Sequence, residues 1–486
     1  MPIKKARKRG YYVVNHCELD RLHSPYDPIS EARKIDLPEA DVDKYLVFGA
    51  GLGYLLHRLG EKAPGCRLLI LDPYPELIKE GGKRGIWTPD SFEKVEIIGP
   101  NTRDILGALG DFIPLADSSS YQTIRWQEYQ HKVPDFFARA LSALQQLQKY
   151  QQVNLQTLQI NGATWLNNFR HNLSQIDVHK QIHFENSPGN IALVGAGPSL
   201  DDQLDWLQKN RDKLTVISVN TAGPVLKKHG IKADFHAAAD SKQVVKEDLR
   251  HSEVHNLLVS PYLNPGIIGE GAASCSILAL ESPLCGWLRS ADFFTGATSA
   301  GSVTVTVIDM LLNNCPGNIY LLGGDMEFSG DRYYARGTWR EEKLLQKTSR
   351  FCSYLQAFLE WQWKSKNRQQ EENPRLEDER NWLKNQGTQK DRLFIPPPLP
   401  SWWEGEQAPE LLENPPQKIK LEPVDKNKIT SWFQGQLHQF QEAKKGKETR
   451  VEWKKFIHWI NKFGESPQEE LNNWQELLKH LASPQT

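Results

Sequence analysis

Residues 189–210, GNIALVGAGPSLDDQLDWLQKN, contain the turn that decides the fold of this chain. The apolar residues 191–194 predict a short buried strand. Gly195 and Gly197 then allow a tight turn, because a residue without a Cβ accepts backbone angles that others avoid. Ser199 and the acid three positions later have the spacing of a capping box. We therefore predict strand, glycine turn and helix N-terminus, which directs free backbone N–H groups toward a phosphate.

Composition narrows the class of protein. The chain has 486 residues, 39% hydrophobic and 24% charged, enough for about three ordinary domains with sizeable cores. A net charge of −1 argues against nucleic-acid binding, which needs a basic surplus. No apolar run approaches a membrane span, and MPIKKARKRG is followed by no apolar signal segment. We expect a soluble cytoplasmic protein.

Six scattered cysteines give neither a disulfide framework nor a zinc site, since no C-x-x-C pair or neighbouring histidine cluster is present. This spacing fits a reducing compartment, and we predict no metal site and no certain cofactor.

The chain divides by composition into four segments. We predict an N-terminal Rossmann-like lobe at 1–118, a helical connector at 119–185, a central transferase domain at 186–345 and a mostly helical C-terminal domain at 346–486. A proline-rich connector at 391–416 carries a Trp-Trp pair that reads as exposed. The tryptophans of the last helices suit either a packing cap or an acceptor-docking surface.

The central segment alternates strands with helices, which predicts an α/β fold around a doubly wound parallel sheet. One stretch is ambiguous: VTVTVI alternates as a strand does, yet 302–314 lacks Gly and Pro and has helical spacing. A crossover is also needed before the strand in IYLLGGD, so we predict a helix.

Polar and small residues follow several of these strands. They comprise Gly195–Ser199, Asn220, Asp240, Thr298–Ser302 and Gly324-Asp325. The carboxyl ends of strands in an open parallel sheet meet at one crevice, where ligands bind. There is no G-x-x-x-x-G-K-[ST], so a Walker-type ATPase is disfavoured. Together these strand ends predict a nucleotide site.

An N-terminal loop, Gly49-Ala50-Gly51-Leu52-Gly53, follows another strand, with Asp72 at the end of the next. This is a Rossmann-type arrangement, but Tyr54 stands where a dinucleotide fingerprint needs glycine. It resembles the adenosylmethionine version, and a structural role for the lobe is the stronger interpretation.

The central motifs resemble the motility-associated factor (Maf) proteins, flagellin glycosyltransferases with a 6-hydroxymethylpterin pyrophosphokinase (MptE)-like, sialyltransferase-like core. The resemblance rests on VGAGPSL, SVNTA, ADFHAAAD, ATSAGS and LLGGDMEFSG, with HSPYDPISEA and VFGAGLGY in the N-terminal lobe. It implies transfer of a nonulosonic (sialic-like) acid, such as pseudaminic or legionaminic acid, from a CMP-activated donor to Ser/Thr of flagellin.

The resemblance also implies donor-binding residues: Gly195, Gly197, Pro198, Ser199, Asn220, Thr298, Ser299 and Gly301, to which the strand-end pattern adds Gly324. Related sialyltransferases use a histidine downstream of the G-x-D strand, and this chain has none between Asp325 and His438. The base is then Asp325, Glu327 or Asp240, or lies elsewhere. Tyr333 and Tyr334 are candidates to donate to the leaving phosphate.

Three alternatives stay open. A pterin pyrophosphokinase needs clustered aspartates for Mg²⁺, whereas AAADSK offers a single acid. A non-enzymatic flagellin-binding or motility accessory protein would use the helical tail. A methyltransferase would rest on the N-terminal loop alone.

Overall fold

The computed structural model comprises two compact units, residues 1–160 and 161–486. It describes residues 3–7, 10–14, 22–37, 42–100, 104–113, 121–175, 180–268, 274–280, 282, 284–297, 301–327, 332–365, 374–384, 386, 391–447, 451–463 and 466–483. The boundary between the units falls inside one long helix.

The first unit is built on a four-stranded parallel sheet with the order β5-β4-β3-β6, beside a small antiparallel pair, β1-β2. Apolar clusters cover both faces of the parallel sheet, as expected because its central strands β3 and β4 are buried almost throughout. Its elements are β1 (Ile3–Lys5), β2 (Tyr12–Val14), α1 (Pro28–Ala32), β3 (Lys44–Phe48), α2 (Tyr54–Lys62), β4 (Arg67–Leu71), α3 (Pro75–Lys83), β5 (Lys94–Ile98), α4 (Ile105–Phe112), β6 (Tyr121–Arg125) and α5 (Gln127–Lys132), followed by α6 (Pro134–Leu173), which contains the boundary.

The second unit is built on an eight-stranded parallel sheet with the order β13-β12-β11-β10-β9-β8-β14-β15. Its elements begin with β7 (Lys180–Phe184), β8 (Asn190–Val194), α7 (Leu200–Lys209), β9 (Thr215–Val219), α8 (Gly223–Lys228), β10 (Phe235–Ala238), α9 (Val244–Arg250), β11 (Asn256–Val259), β12 (Ser274–Leu280), β13 (Thr295–Ala297), α10 (Val303–Asn314) and β14 (Asn318–Leu322). They continue with α11 (Trp339–Leu345), α12 (Tyr354–Ser365), α13 (Pro374–Lys384), β15 (Leu393–Phe394), β16 (Ile419–Pro423), α14 (Lys426–Lys444), α15 (Val451–Phe463) and α16 (Pro467–Leu481).

The strand order reverses at β8. The chain runs from β8 to β13 in one direction, and α10 then returns it to β14 on the other side of β8. Right-handed crossovers in opposite directions place helices on opposite faces of a sheet. The predicted doubly wound α/β fold is therefore confirmed.

The helix predicted at 302–314 is confirmed as α10. Ser302 is its N-cap, and the Ser302 hydroxyl accepts a hydrogen bond from the N–H of Val305. Val305, Val307 and Ile308 are fully buried. Burial of this apolar segment outweighs the modest helix preference of β-branched residues.

The C-terminal helices pack against the rest of the second unit through aromatic rings. Trp287 stacks on Trp432 and on Trp453, with ring centroids 5.6 and 4.6 Å apart. Phe169 contacts Trp474 at 5.0 Å. Trp453 and Trp474 have no exposed surface, so these tryptophans contribute to a core.

Candidate functional site

The strand order reverses between β8 and β14, and folds of this kind bind ligands in a crevice at the carboxyl ends of the strands at that point, which we call the strand-end crevice. Three N–H groups of the β8–α7 loop are bonded within the chain there. The N–H of Gly195 donates to Leu322 O at 2.7 Å, and that of Gly197 to Gly323 O at 2.8 Å. The N–H of Ser199 donates to Asp325 Oδ1 at 3.0 Å. The expectation that this loop directs free N–H groups at a phosphate is therefore wrong for these three residues.

The glycines are needed for close approach of the two loops. A Cβ on Gly195 would lie 2.5 Å from Gly323 O, and one on Gly197 would lie 2.0 Å from Asp325 Oδ2. A Cβ on Gly324 would lie 2.5 Å from the Leu321 side chain. The absent side chains of Gly195 and Gly197 let the loops after β8 and β14 approach each other, whereas that of Gly324 leaves room for Leu321 of its own strand.

The predicted capping box at Ser199 is also wrong. Ser199 is the N-cap of α7, but its side chain caps no helix N–H. Its hydroxyl instead donates to Asp325 Oδ2 at 2.9 Å, because that carboxylate lies over the first turn. Pro198 precedes it, and Pro198 O accepts from Asp201 N–H in the same turn.

Asp325 is 5% exposed and is held from several sides. Its carboxylate accepts from Ser199, and its backbone carbonyl accepts from the Trp402 indole N–H. Met326, the next residue, has a φ of 49°, in the left-handed region that non-glycine residues adopt at a cost. Burial raises the pKa of Asp325, against the opposing effect of the bonds from Ser199. A buried acid with a raised pKa is a better base than a solvated one.

The proline-rich connector also reaches this crevice. Ser401 donates to Glu327 through both its N–H, at 3.1 Å, and its hydroxyl, at 2.6 Å. Gln203 of α7 donates to Pro396 O at 2.6 Å. Trp402 is only 8% exposed, so the prediction of an exposed Trp-Trp pair is wrong for this residue. The Trp402 ring is buried because its indole N–H donates to the carbonyl of Asp325, a partner distant in sequence.

Beside β8, Asn220 follows β9 and belongs to a buried polar network. Its Nδ2 donates to Asp248 Oδ2 at 2.7 Å, and Arg340 Nη2 lies 3.6 Å from the same oxygen. Arg340 Nη1 also donates to the Tyr334 hydroxyl at 3.1 Å. Burial raises the pKa of Asp248, against the effects of Arg340 and Asn220. Neither Asp248 nor Arg340 stands out in the sequence as a site residue, since both read as charges on exposed helical turns.

The segment 332–342, which we call the cover segment, spans the carboxyl end of β8 and the start of α7. Ala335 N–H donates to Ala196 O at 2.9 Å, and Arg336 N–H donates to Asp201 Oδ1 at 2.9 Å. Arg332 also donates to Asp201. Within the cover segment the rings of Tyr333 and Tyr334 pack edge to face at 4.7 Å. The cover segment thus links the Asn220 network to the β8–α7 loop.

Asp240 and Asp325 are held apart by the sheet. Asp240 follows β10, three strands from β14, so the two strand ends are about 14 Å apart at ~4.8 Å per strand. Asp240 Oδ1 accepts from Lys242 N–H at 3.0 Å. The strand spacing therefore separates Asp240 from the joined β8 and β14 loops along the sheet edge.

Of the ATSAGS motif, Thr298 and Ser299 lie outside the described residues. Gly301 has a φ of +80°, and a Cβ there would lie 3.3 Å from Glu379 Oε1 of α13. The adjacent Arg380 donates to Met326 O at 3.4 Å. Helix α13 therefore contacts both this motif and the GGDME loop.

In the N-terminal unit, the chain's own side chains occupy the glycine turn. The N–H groups of residues 50 and 51 donate to Asp72 Oδ2 at 2.8 and 3.1 Å, and the next N–H donates to His23 Nε2 at 2.9 Å. Tyr129 donates to Asp72 Oδ1 at 2.8 Å. Burial lowers the pKa of His23 to about 3, so this ring is a neutral acceptor. These contacts favour a structural role for the turn.

A cavity of about 430 Å³ lies at the opposite, amino edge of the large sheet. It is lined by the first residues of β9, β10 and β11 and by the start of β16. It is therefore separate from the strand-end crevice.

Among the described residues, no group of three or more His, Cys, Asp or Glu side chains is placed to hold a metal ion. Nor does that part of the chain contain a helix long and apolar enough to cross a membrane.

The central segment of the chain is similar to a known protein family. Residues 164–331 match the family model described as 6-hydroxymethylpterin diphosphokinase MptE-like, which confirms the resemblance to that core. The solved structure of the MAf glycosyltransferase from Magnetospirillum magneticum AMB-1 aligns with 96% of this chain and 83% of that chain, at 12% identity and a TM-score of 0.43. No curated protein matches the sequence.

Proposed function

We propose that this protein is a cytoplasmic glycosyltransferase that moves a nonulosonic acid from a CMP-activated donor to a serine or threonine of flagellin. The observation that carries the proposal is the crevice where β8, β9 and β14 end, with Ser199, Asn220 and Asp325 around it. The MptE-like match covers all three strands. The donor and the acceptor protein come from the motif resemblance.

The donor nucleotide lies in the strand-end crevice. Gly195, Gly197, Pro198 and Gly324 form its floor, where the first two glycines let the loops after β8 and β14 approach each other, and Asn220 offers a polar atom at its side. The Ser199 hydroxyl contacts the donor phosphate by turning from Asp325. Thr298, Ser299 and Gly301 complete the donor site at the start of α10.

The reaction is one displacement. The acceptor hydroxyl oxygen bonds to the anomeric carbon, the bond from that carbon to the phosphate oxygen breaks, and CMP leaves with the electron pair. The hydroxyl proton passes to a base. We assign the base to Asp325, whose pKa is raised by burial, with Glu327 as second choice. Asp240, about 14 Å along the sheet edge, faces the nucleotide instead.

Charge on the departing phosphate needs donors that are already in place. Tyr333, Tyr334 and Arg340 belong to the cover segment beside the strand ends. We assign to Tyr333 and Tyr334 the donation of hydrogen bonds to the leaving phosphate, with Arg340 supplying positive charge.

Calorimetry tests the proposal with wild type, Ser199→Ala and Asn220→Ala, and with Gln208→Ala on the exposed side of α7 as control. We expect CMP to bind wild type and the control, and to bind both site variants at least tenfold more weakly. A mass increase of one nonulosonic acid on flagellin, absent with Asp325→Asn, would then establish transfer. Unchanged CMP binding in both site variants would refute this site.

The family description favours a second candidate, a pterin diphosphokinase. That reaction transfers a diphosphoryl group from ATP with Mg²⁺, which binds oxygen ligands at ~2.1 Å. Asp240 and Asp325 are too far apart to share one ion. Binding of ATP that requires Mg²⁺, without binding of CMP, would favour this candidate. No binding of CMP, ATP or adenosylmethionine would favour an accessory binding protein.

A further inference from the structure

The side-chain amide of Asn220 is buried but only half used. Asn220 is 4% exposed, and its Nδ2 donates to Asp248 at 2.7 Å and to Thr221 Oγ1 at 3.3 Å. Its Oδ1 accepts no hydrogen bond from any described residue. The side chain therefore presents an acceptor, and no free donor, to the strand-end crevice.

Asp248 fixes this orientation. It has no exposed surface, and three donors converge on its Oδ2: Asn220 Nδ2, the Thr221 hydroxyl at 3.3 Å and Arg340 Nη2 at 3.6 Å. A carboxylate oxygen only accepts, so the amide must turn its NH₂ group toward Asp248. A proton taken up by Asp248 would go to Oδ1, which has no hydrogen-bond partner among the described residues, and would leave this contact unchanged.

We infer that Asp248 is a positioning residue that makes Asn220 select a hydrogen-bond donor on the ligand. This rests on the proposed function and deepens it. On a cytidine nucleotide, the donor is either the exocyclic amino group of the base or a ribose hydroxyl. A group that offers only an acceptor there would leave two acceptors facing each other, at a cost in affinity.

Calorimetry with CMP, UMP and 2′-deoxy-CMP tests the inference on the full chain. UMP replaces the amino group by a carbonyl, and 2′-deoxy-CMP lacks one ribose hydroxyl. Wild type should bind CMP about tenfold more tightly than the analogue that lacks the selected donor. The variant is Asp248→Asn, which lets the Asn220 amide turn over, and the control is Asp205→Asn on the exposed face of α7.

The readout is the ratio of the two affinities, since general damage to the site would weaken both ligands together. We expect Asp248→Asn to bring the ratio to within about threefold of unity and Asp205→Asn to leave it unchanged. If Asp248→Asn does not fold, Asn220→Ser must level the same ratio, because a hydroxyl donates or accepts.

Three results would overturn the inference. Wild type that binds CMP but does not discriminate against either analogue would show that Asn220 selects no donor. A ratio that persists in Asp248→Asn, or in Asn220→Ser, would show that Asp248 does not set the selection. No binding of CMP to wild type would refute the proposed function, and the inference with it.

Discussion

Replacing Gly197 with alanine would test how β8 and β14 are joined at the crevice. The new Cβ would lie 2.0 Å from Asp325 Oδ2 and 2.8 Å from Gly323 O. Gly197 has no positive φ, so the cost is steric. Asp325 would have to move by more than 1 Å to restore contact distance, which breaks its two bonds from Ser199.

The loss follows from these contacts. Hydrogen bonds to a carboxylate contribute roughly 1.5–3 kcal/mol each to stability, and a displaced Asp325 would regain part of this energy by hydrogen bonding to water. Crowding against the Gly323 carbonyl adds about 1–3 kcal/mol. We expect Gly197→Ala to lower the free energy of unfolding by about 3–5 kcal/mol.

Denaturant unfolding followed by circular dichroism measures this loss. Gly435→Ala is the matched control: it lies inside α14 with nothing within 4 Å of its Cβ, so it should gain up to ~1 kcal/mol. The double variant Gly197→Ala/Asp325→Ala removes the worst overlap and should lose less than the sum of the single losses. If Gly197→Ala unfolded at the same denaturant concentration as wild type, the close contact of Gly197 with Asp325 and Gly323 would not be needed for stability, which would refute this reasoning.

Further predictions concern buried titratable groups. Asp325→Asn should lower transfer at least 100-fold because the base is lost, but it should keep the stability of the fold at pH 7, because burial already disfavours the charged form of Asp325. The folded state of wild type binds this proton more readily than the unfolded state, so wild type, unlike the variant, should gain stability as pH falls through the raised pKa. A variant less stable than wild type at pH 7 would contradict this. Burial lowers the pKa of His236 to about 4, so the free energy of unfolding should fall by about 3 kcal/mol as pH falls from 6.5 to 4 and the unfolded state gains a proton on this ring. His236→Gln should make the free energy of unfolding depend less on pH over this range, and an unchanged pH dependence would argue against the prediction. Burial raises the pKa of the Cys66, Cys275 and Cys285 thiols to about 11 or 12. A thiol reagent at pH 8 should therefore modify the half-exposed Cys352 before these three, which peptide mass spectrometry would show. Early modification of any of the three would contradict this prediction.

Local patterns predicted the order of elements in the central sheet. The alternation of apolar runs and glycine turns located β8, β9 and β14, and helical spacing identified α10. These succeed because each strand is buried along its length, so its sequence is apolar throughout. The grouping of Ser199 and Asp325 also followed, because it depends on topology alone.

The sequence did not reveal the partners. Asp248 lies within VVKEDLR, which reads as a charged surface helix, yet it is fully buried because Arg340, 92 positions later, meets it with Asn220 and Thr221. The free N–H groups expected at Gly195 and Gly197 are used because β14 lies directly beside β8. Contacts between residues so distant in sequence leave no local pattern.

The large sheet is completed by residues that follow its central strand β8 by more than 200 positions in the sequence, and this separation affects how the chain folds during its synthesis. Gln417, fully buried, accepts from Gly189 N–H and donates to Glu185 O, so it holds the start of β8. At ~5–20 residues per second, a ribosome needs roughly 10–45 s to add residue 417 after β8 is made. Strands β9 and β14, the sheet neighbours of β8, are made earlier, so during the rest of that interval the start of β8 can pair with them but still lacks its bond to Gln417.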